Sequence, residues 1–303
     1  MVSTRALCLL LVTLAGFPAL AAPGWGAWMR EKDDVVGGLG NLPSIPAFLV
    51  MKAGIFDKTG GLRIVAQHER VLDFCRRNVE MHAWVTHRVG KKTGLNRAGG
   101  QTLGGHLNKL LDESCFASVE LDMEPIGEPA PGMIEFLEEV RRTMRKDRKL
   151  YVALPPIAPP TTKGLTFTEA DAEKVLAVVD GIDLMLYDTG LDDRRDFGKV
   201  IERGVAFAKK HPGKDVRLGL PAYYDEGRFL HRLGIESSTV AVETLRGLLP
   251  NALETLCSPE VRILYYAYWT LKREDFENAR ALDATLKERC ASRPKGKHVT
   301  PLR

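Results

Sequence analysis

"SVELDMEP", residues 118–125, sets three carboxyl side chains, Glu120, Asp122 and Glu124, on alternate positions, with Val119, Leu121 and Met123 between them. A β-strand sends successive side chains to opposite faces. The three acids therefore share one face, roughly 7 Å apart at each step, and the apolar residues share the other. Taken alone, the stretch fits the half-exposed strand of an antiparallel sheet, acidic face in water. Its surroundings decide between that reading and an interior position.

On either side, short apolar runs alternate with amphipathic stretches. Strands are expected at 47–53, 79–87, 118–125, 149–160, 181–190, 216–227 and 261–271. Helices are expected near 68–77, 106–113, 133–147, 168–179, 195–211, 238–256 and 273–290, with a break at Pro250. "GGLRIVAQ" (60–67) is a candidate eighth strand, and 88–105 reads as a polar, Gly-rich loop. Strand–helix alternation of this kind implies an α/β chain with a parallel sheet covered by helices. Eight such units fit a single-domain (β/α)8 TIM barrel over 46–291, preceded by a lead-in at 23–45. An open doubly wound sheet is the other arrangement, but no G-x-G-x-x-G follows a strand and no P-loop is present.

The ends and the composition narrow the setting. "MVSTRALCLLLVTLAGFPALAA" (1–22) has Arg5, an apolar run and Ala19-Leu20-Ala21, the pattern of a cleaved secretory signal. The apolar run is too short to span a bilayer, and a secreted or periplasmic location is expected. Four cysteines remain beyond it, Cys75, Cys115, Cys257 and Cys290. Three pairings are open, of which Cys75–Cys115 and Cys257–Cys290 are the local choice. The tail 292–303 is basic and expected to be loose. A formal charge of only +4 spread along the chain makes no electrostatic case for nucleic acid. No cofactor motif is present, and no metal site is expected, although acids at strand ends can hold magnesium or calcium.

Inside a barrel the acidic face has no bulk water, and an unpaired buried carboxylate costs several kcal/mol. The column of acids then becomes a candidate site, with Glu124 nearest the C-terminal mouth. Asp122 and Glu120 beneath it are expected to raise its carboxyl pKa and make it a general acid. Tyr187 and Asp188, Tyr223 with Tyr224 and Asp225, and Tyr266, Tyr268 and Trp269 end later strands, where aromatic rings can hold a sugar. His82, Trp84 and His87 end an earlier one, with His82 read as a core residue.

These residues resemble glycoside hydrolase family 18, the chitinase-like barrels. The family's D-x-x-D-x-D-x-E strand is matched in its last three acids by Glu120, Asp122 and Glu124. Its M-x-Y-D is matched by Met185–Asp188, its G-x-P-x-Y by Gly219–Tyr223, and its terminal tryptophan by Trp269. Glu120 stands where the family has Asp, and the first Asp of the signature is missing. The resemblance implies a polysaccharide or oligosaccharide substrate with β-linked N-acetylglucosamine, as in chitin oligomers or peptidoglycan, and substrate-assisted retaining catalysis. Glu124, Asp122 and Tyr187 would be catalytic. Glu120, Asp188, Tyr223, Trp269 and Trp84 would bind substrate. The altered signature also admits a non-catalytic carbohydrate-binding barrel or a polysaccharide hydrolase of other specificity.

Overall fold

The computed structural model describes residues 24–31, 46–88, 94–124, 128–157, 166–223 and 231–292. The expected signal peptide (1–22), the tail from 293 onward, Tyr224 and Asp225 lie outside them. Nine strands are described: β1 (Gly26–Met29), β2 (Phe48–Phe56), β3 (Leu62–Ile64), β4 (Glu80–Arg88), β5 (Ser118–Glu124), β6 (Lys149–Leu154), β7 (Gly181–Met185), β8 (Asp215–Pro221) and β9 (Val261–Tyr266). Eight of them pair in parallel in the order β1-β9-β8-β7-β6-β5-β4-β2, and a β1–β2 pairing closes the ring. Seven helices accompany them: α1 (His68–Arg76), α2 (Arg97–Asp112), α3 (Met133–Thr143), α4 (Glu169–Val178), α5 (Arg194–Lys210), α6 (Ser238–Leu256) and α7 (Arg273–Ala291). This is the expected TIM barrel.

Two boundaries differ from expectation. The barrel does not begin at 46: residues 26–29, assigned to a lead-in, form its first strand, with all four residues buried. Ala27 and Met29 pack outward into the main core while Trp28 points inward, but four residues are too few to show a period-two pattern. "GGLRIVAQ" is not the eighth barrel strand. Its Leu62–Ile64 folds back antiparallel on β2, after a turn in which the Asp57 carboxylate accepts from Thr59 N and Gly61 N.

Residues 97–105, read as part of a loop, form the first half of α2. Asn96 caps the helix by accepting from Gly99 N at 2.9 Å. Gly100 and Gly104, which read as loop punctuation, face α3 instead. A Cβ on Gly100 would stand 2.3 Å from the Phe136 carbonyl oxygen, and one on Gly104 would stand 2.7 Å from Thr143 Cβ. Gly100→Ala is expected to destabilise by about 1–3 kcal/mol through overpacking. Gly105→Ala, whose Cβ would meet nothing within 4 Å, should stabilise by up to about 1 kcal/mol. Thermal melts of the two variants check the pair, and equal melting temperatures would refute the close approach.

Helix α4 starts as expected, with Thr168 Oγ1 accepting from Asp171 N. α6 runs through Pro250 without a break, its buried face on both sides holding it to the barrel. The two local disulfides are formed, Cys75–Cys115 and Cys257–Cys290. No described helix is long and apolar enough to cross a membrane. Apolar side chains form one large core between strands and helices, and a smaller, largely aromatic cluster inside the barrel around Trp28, Phe48, Trp84, Tyr187 and Tyr223.

Candidate active site

Strand alternation sorts the residues of β5 as the sequence predicts. Val119, Leu121 and Met123 are fully buried in the outer core. Glu120, Asp122 and Glu124 enter the interior and line a narrow cleft at the C-terminal mouth, with Trp28, Trp84, Tyr187 and Tyr266 around them. Burial falls along the column: Glu120 is fully buried, Asp122 is 6% exposed and Glu124 is half-buried.

Each member of the column has its own support. The Trp84 indole donates to Asp122 Oδ2 at 2.9 Å, from β4, one strand away. The Trp28 indole donates to Glu120 Oε1 at 2.8 Å. Tyr187 stacks on Tyr266 with centroids 4.8 Å apart and meets Trp28 edge-on. Burial, then the neighbouring Tyr266 and Glu124, push the Tyr187 phenol well above its ordinary value. Its hydroxyl is thus a hydrogen-bond donor across the working pH range.

Below the column lies a buried ionic cluster that the sequence reading missed. Arg217 of β8, fully buried, donates from Nη1 to Asp183 Oδ2 of β7 at 3.0 Å, and the same nitrogen lies 3.9 Å from Glu120 Oε2. Its guanidinium covers the Tyr151 ring at 3.7 Å, and Nη2 lies 3.3 Å from His82 Nδ1. Burial and then Arg217 push the His82 imidazole down to about 3. A neutral ring can accept from Arg217 at Nδ1, which makes His82 the core residue expected.

Burial first, then the Asp183 carboxylate, push Glu120 well above the usual carboxylate range, against the opposing pull of Trp28 and Arg217. Glu120 Oε2 and Asp183 Oδ1 each lack a donor among the described residues. One proton between the two carboxyls satisfies both and, with Arg217, makes the cluster neutral. The upward push on Glu120 thus falls on the deepest acid of the column.

Of the expected site residues, the column, Tyr187 and Trp84 meet at one cleft. Trp84 does so chiefly as the partner of Asp122, and Glu120 as the buried floor. Asp188 and Tyr223 sit to one side, the Tyr223 hydroxyl donating to Asp188 Oδ1. Trp269 stands beside the cleft, edge-on to Tyr266 at 5.5 Å and covered by the Arg30 guanidinium at 4.4 Å. Trp28, Asp183 and Arg217 were missed. For the last two a signal existed: a charge at the centre of the apolar runs "GIDLM" and "VRLGL".

No family model and no curated protein sequence matches the chain. Its fold is similar to solved structures at low sequence identity. The spore cortex-lytic enzyme SleL of Bacillus megaterium QM B1551 is 12% identical at a TM-score of 0.63, over 87% of this chain and 75% of that one. A chitinase of Chromobacterium violaceum is 11% identical at 0.61, over 90% and 100%. The family 18 chitinase ChiB of Flavobacterium johnsoniae is 14% identical at 0.59, over 88% and 95%. At such identities the likeness establishes the fold, a chitinase-like TIM barrel.

Proposed function

We propose that the chain is an exported glycoside hydrolase that cleaves β-linked N-acetylglucosamine-containing glycans, with retention and with the substrate's own N-acetyl group as nucleophile. The observation that carries this reading is the inward column Glu120–Asp122–Glu124 at the barrel mouth, with Tyr187 beside it. The chitinases and cortex-lytic enzyme that share the fold support it. In this reading residues 1–22 are removed on export, and the two disulfides suit an oxidising compartment.

In the proposed reaction the Glu124 carboxyl gives its proton to the glycosidic oxygen as the C–O bond breaks. The acetamido carbonyl oxygen closes on the anomeric carbon, and the ring it forms carries the positive charge. Asp122, held by Trp84, orients the acetamido N–H and supplies the negative charge that faces this cation. Tyr187 donates to the acetamido oxygen. Water then attacks the anomeric carbon from the vacated side, the bond to the acetamido oxygen breaks to restore the N-acetyl group, and the Glu124 carboxylate takes the proton that the water loses. The neutral Glu120–Asp183–Arg217 cluster below leaves Asp122 as the anion next to the reacting centre.

The test is product analysis of the purified chain on chitin oligomers, peptidoglycan and β-glucans lacking N-acetyl groups. Release of β-anomeric products from the N-acetylated glycans alone is expected. Calorimetric binding without product at any enzyme concentration would replace the proposal with a carbohydrate-binding barrel. Cleavage of the non-acetylated glycans would replace it with a hydrolase of other specificity.

A further inference from the structure

Beside the cleft, a second group of ligating side chains has no part in the reaction above. Asp188 follows β7, and His231 and Glu236 lie in the segment between β8 and α6. One ligand atom from each lies within 4.8 Å of the other two. Glu236 is fully buried and firmly oriented: Oε2 accepts from Asp188 N at 2.8 Å, and Oε1 accepts from Thr189 N at 2.9 Å and from the Thr189 hydroxyl. The His231 side chain is 3% exposed and lies against the Tyr223 ring at 3.9 Å. Among the described residues neither of its ring nitrogens has a hydrogen-bond partner, and Nδ1 faces Glu236 Oε2 at 3.4 Å.

A buried imidazole whose Nε2 has no partner among the described residues, and whose Nδ1 meets only a carboxylate outside hydrogen-bond geometry, is costly, because burial has removed water without a full replacement. We propose that Asp188, His231 and Glu236 bind one divalent transition-metal ion, of which zinc fits best. One imidazole and two carboxylates make a mixed nitrogen and oxygen set that suits zinc, whereas magnesium and calcium take oxygen donors alone. With bonds of about 2.0–2.2 Å, adjacent donors of a tetrahedral ion stand about 3.4 Å apart, as His231 and Glu236 do. The Thr189 and Asp188 amides hold the Glu236 carboxylate in place, as ligands of metal sites are held. Glu236 and Tyr223 also line an open cleft shared with Arg194 and Lys272, which gives an ion a way in.

The ligands span two separate parts of the chain, so no spacing motif announces them, and the sequence reading expected no metal. The ion would pin the segment after β8 to the exit of β7 and fix the rim next to the cleft. Asp188, which the family resemblance implied as a substrate contact, would here be a ligand of the ion, and metal binding is read without any measurement of activity.

The experiment is zinc titration by calorimetry and melting of the tag-free, chelator-treated chain, wild type against H231Q. The wild type is expected to bind one equivalent, with a melting temperature raised by about 5–10 °C at a hundredfold excess over Kd. H231Q should bind at least about a hundredfold more weakly. Cobalt bound to the wild type should show the visible absorption of a four-coordinate ion, which keeps the test open if H231Q does not fold. No stoichiometric binding by the wild type, or equal binding by H231Q, overturns the proposal. So does a chelator-treated wild type that is more stable than H231Q and gains nothing from metal, since His231 would then be an ion-pair partner of Glu236.

Discussion

Glu124→Gln is expected to lower kcat on N-acetylglucosamine oligosaccharides by about 10²–10⁴-fold, the range a positioned general acid contributes. The amide keeps the shape of the carboxyl but has no proton to give. Glu124 is half-buried at the mouth of the cleft and lies outside the Arg217 cluster, so the melting temperature should move by no more than about 1–2 °C. Oligosaccharide binding, measured by calorimetry, should stay within about threefold of wild type, because the acid acts in the transition state. A substrate whose leaving group needs no protonation should recover the bond-breaking step, while the attack of water, which needs the same residue as base, stays slow. Unchanged turnover of natural oligosaccharides would remove Glu124 from the mechanism, and a large fall in melting temperature would make it structural.

Arg217→Met should have the largest effect on stability. The methionine replaces the buried stem but leaves Glu120 and Asp183 without their cation, a change that costs about 3–5 kcal/mol. The melting temperature should fall by about 6–15 °C at neutral pH. The sign of the pH dependence follows from Glu120, which holds its proton to a higher pH in the native barrel than in the unfolded chain. Such a group contributes stability that is complete below the unfolded carboxylate range and is lost as pH rises through the native value. Removing Arg217 takes away an attraction for the ionised form and raises Glu120 further. The penalty of the substitution should therefore be smallest near pH 5 and grow toward pH 8. Urea melts at the two pH values measure it, and a loss equal at both would show that Arg217 does not neutralise this pair.

The barrel was legible because strands alternate with helices along the chain, and that order in turn moved the acids of 118–125 from a wet face to the interior. Of the three disulfide pairings left open, the structure forms the local one. What escaped is equally physical. Residues 26–29 form a strand too short to reveal its period, and their Trp28 reaches Glu120 only after the ring has closed. Gly100 and Gly104 carry a helix–helix contact, in a stretch whose glycines read as a loop from the sequence. Asp183 and Arg217 were passed over because attention to strand ends favours residues that meet solvent, whereas these two meet each other at mid-barrel. His231 and Glu236 pair with Asp188 across more than forty residues of chain, beyond the reach of any local motif.

The seam between Gly26–Met29 and Val261–Tyr266 has a kinetic consequence. During synthesis the first strand emerges from the ribosome long before its neighbour exists, so the ring cannot shut until residues near 264 have been translated. Trp28 is delivered to Glu120 by that same last pairing. A nascent chain therefore carries all three acids of β5 without their finished interior, and any activity of the column begins only when the chain's two ends have met.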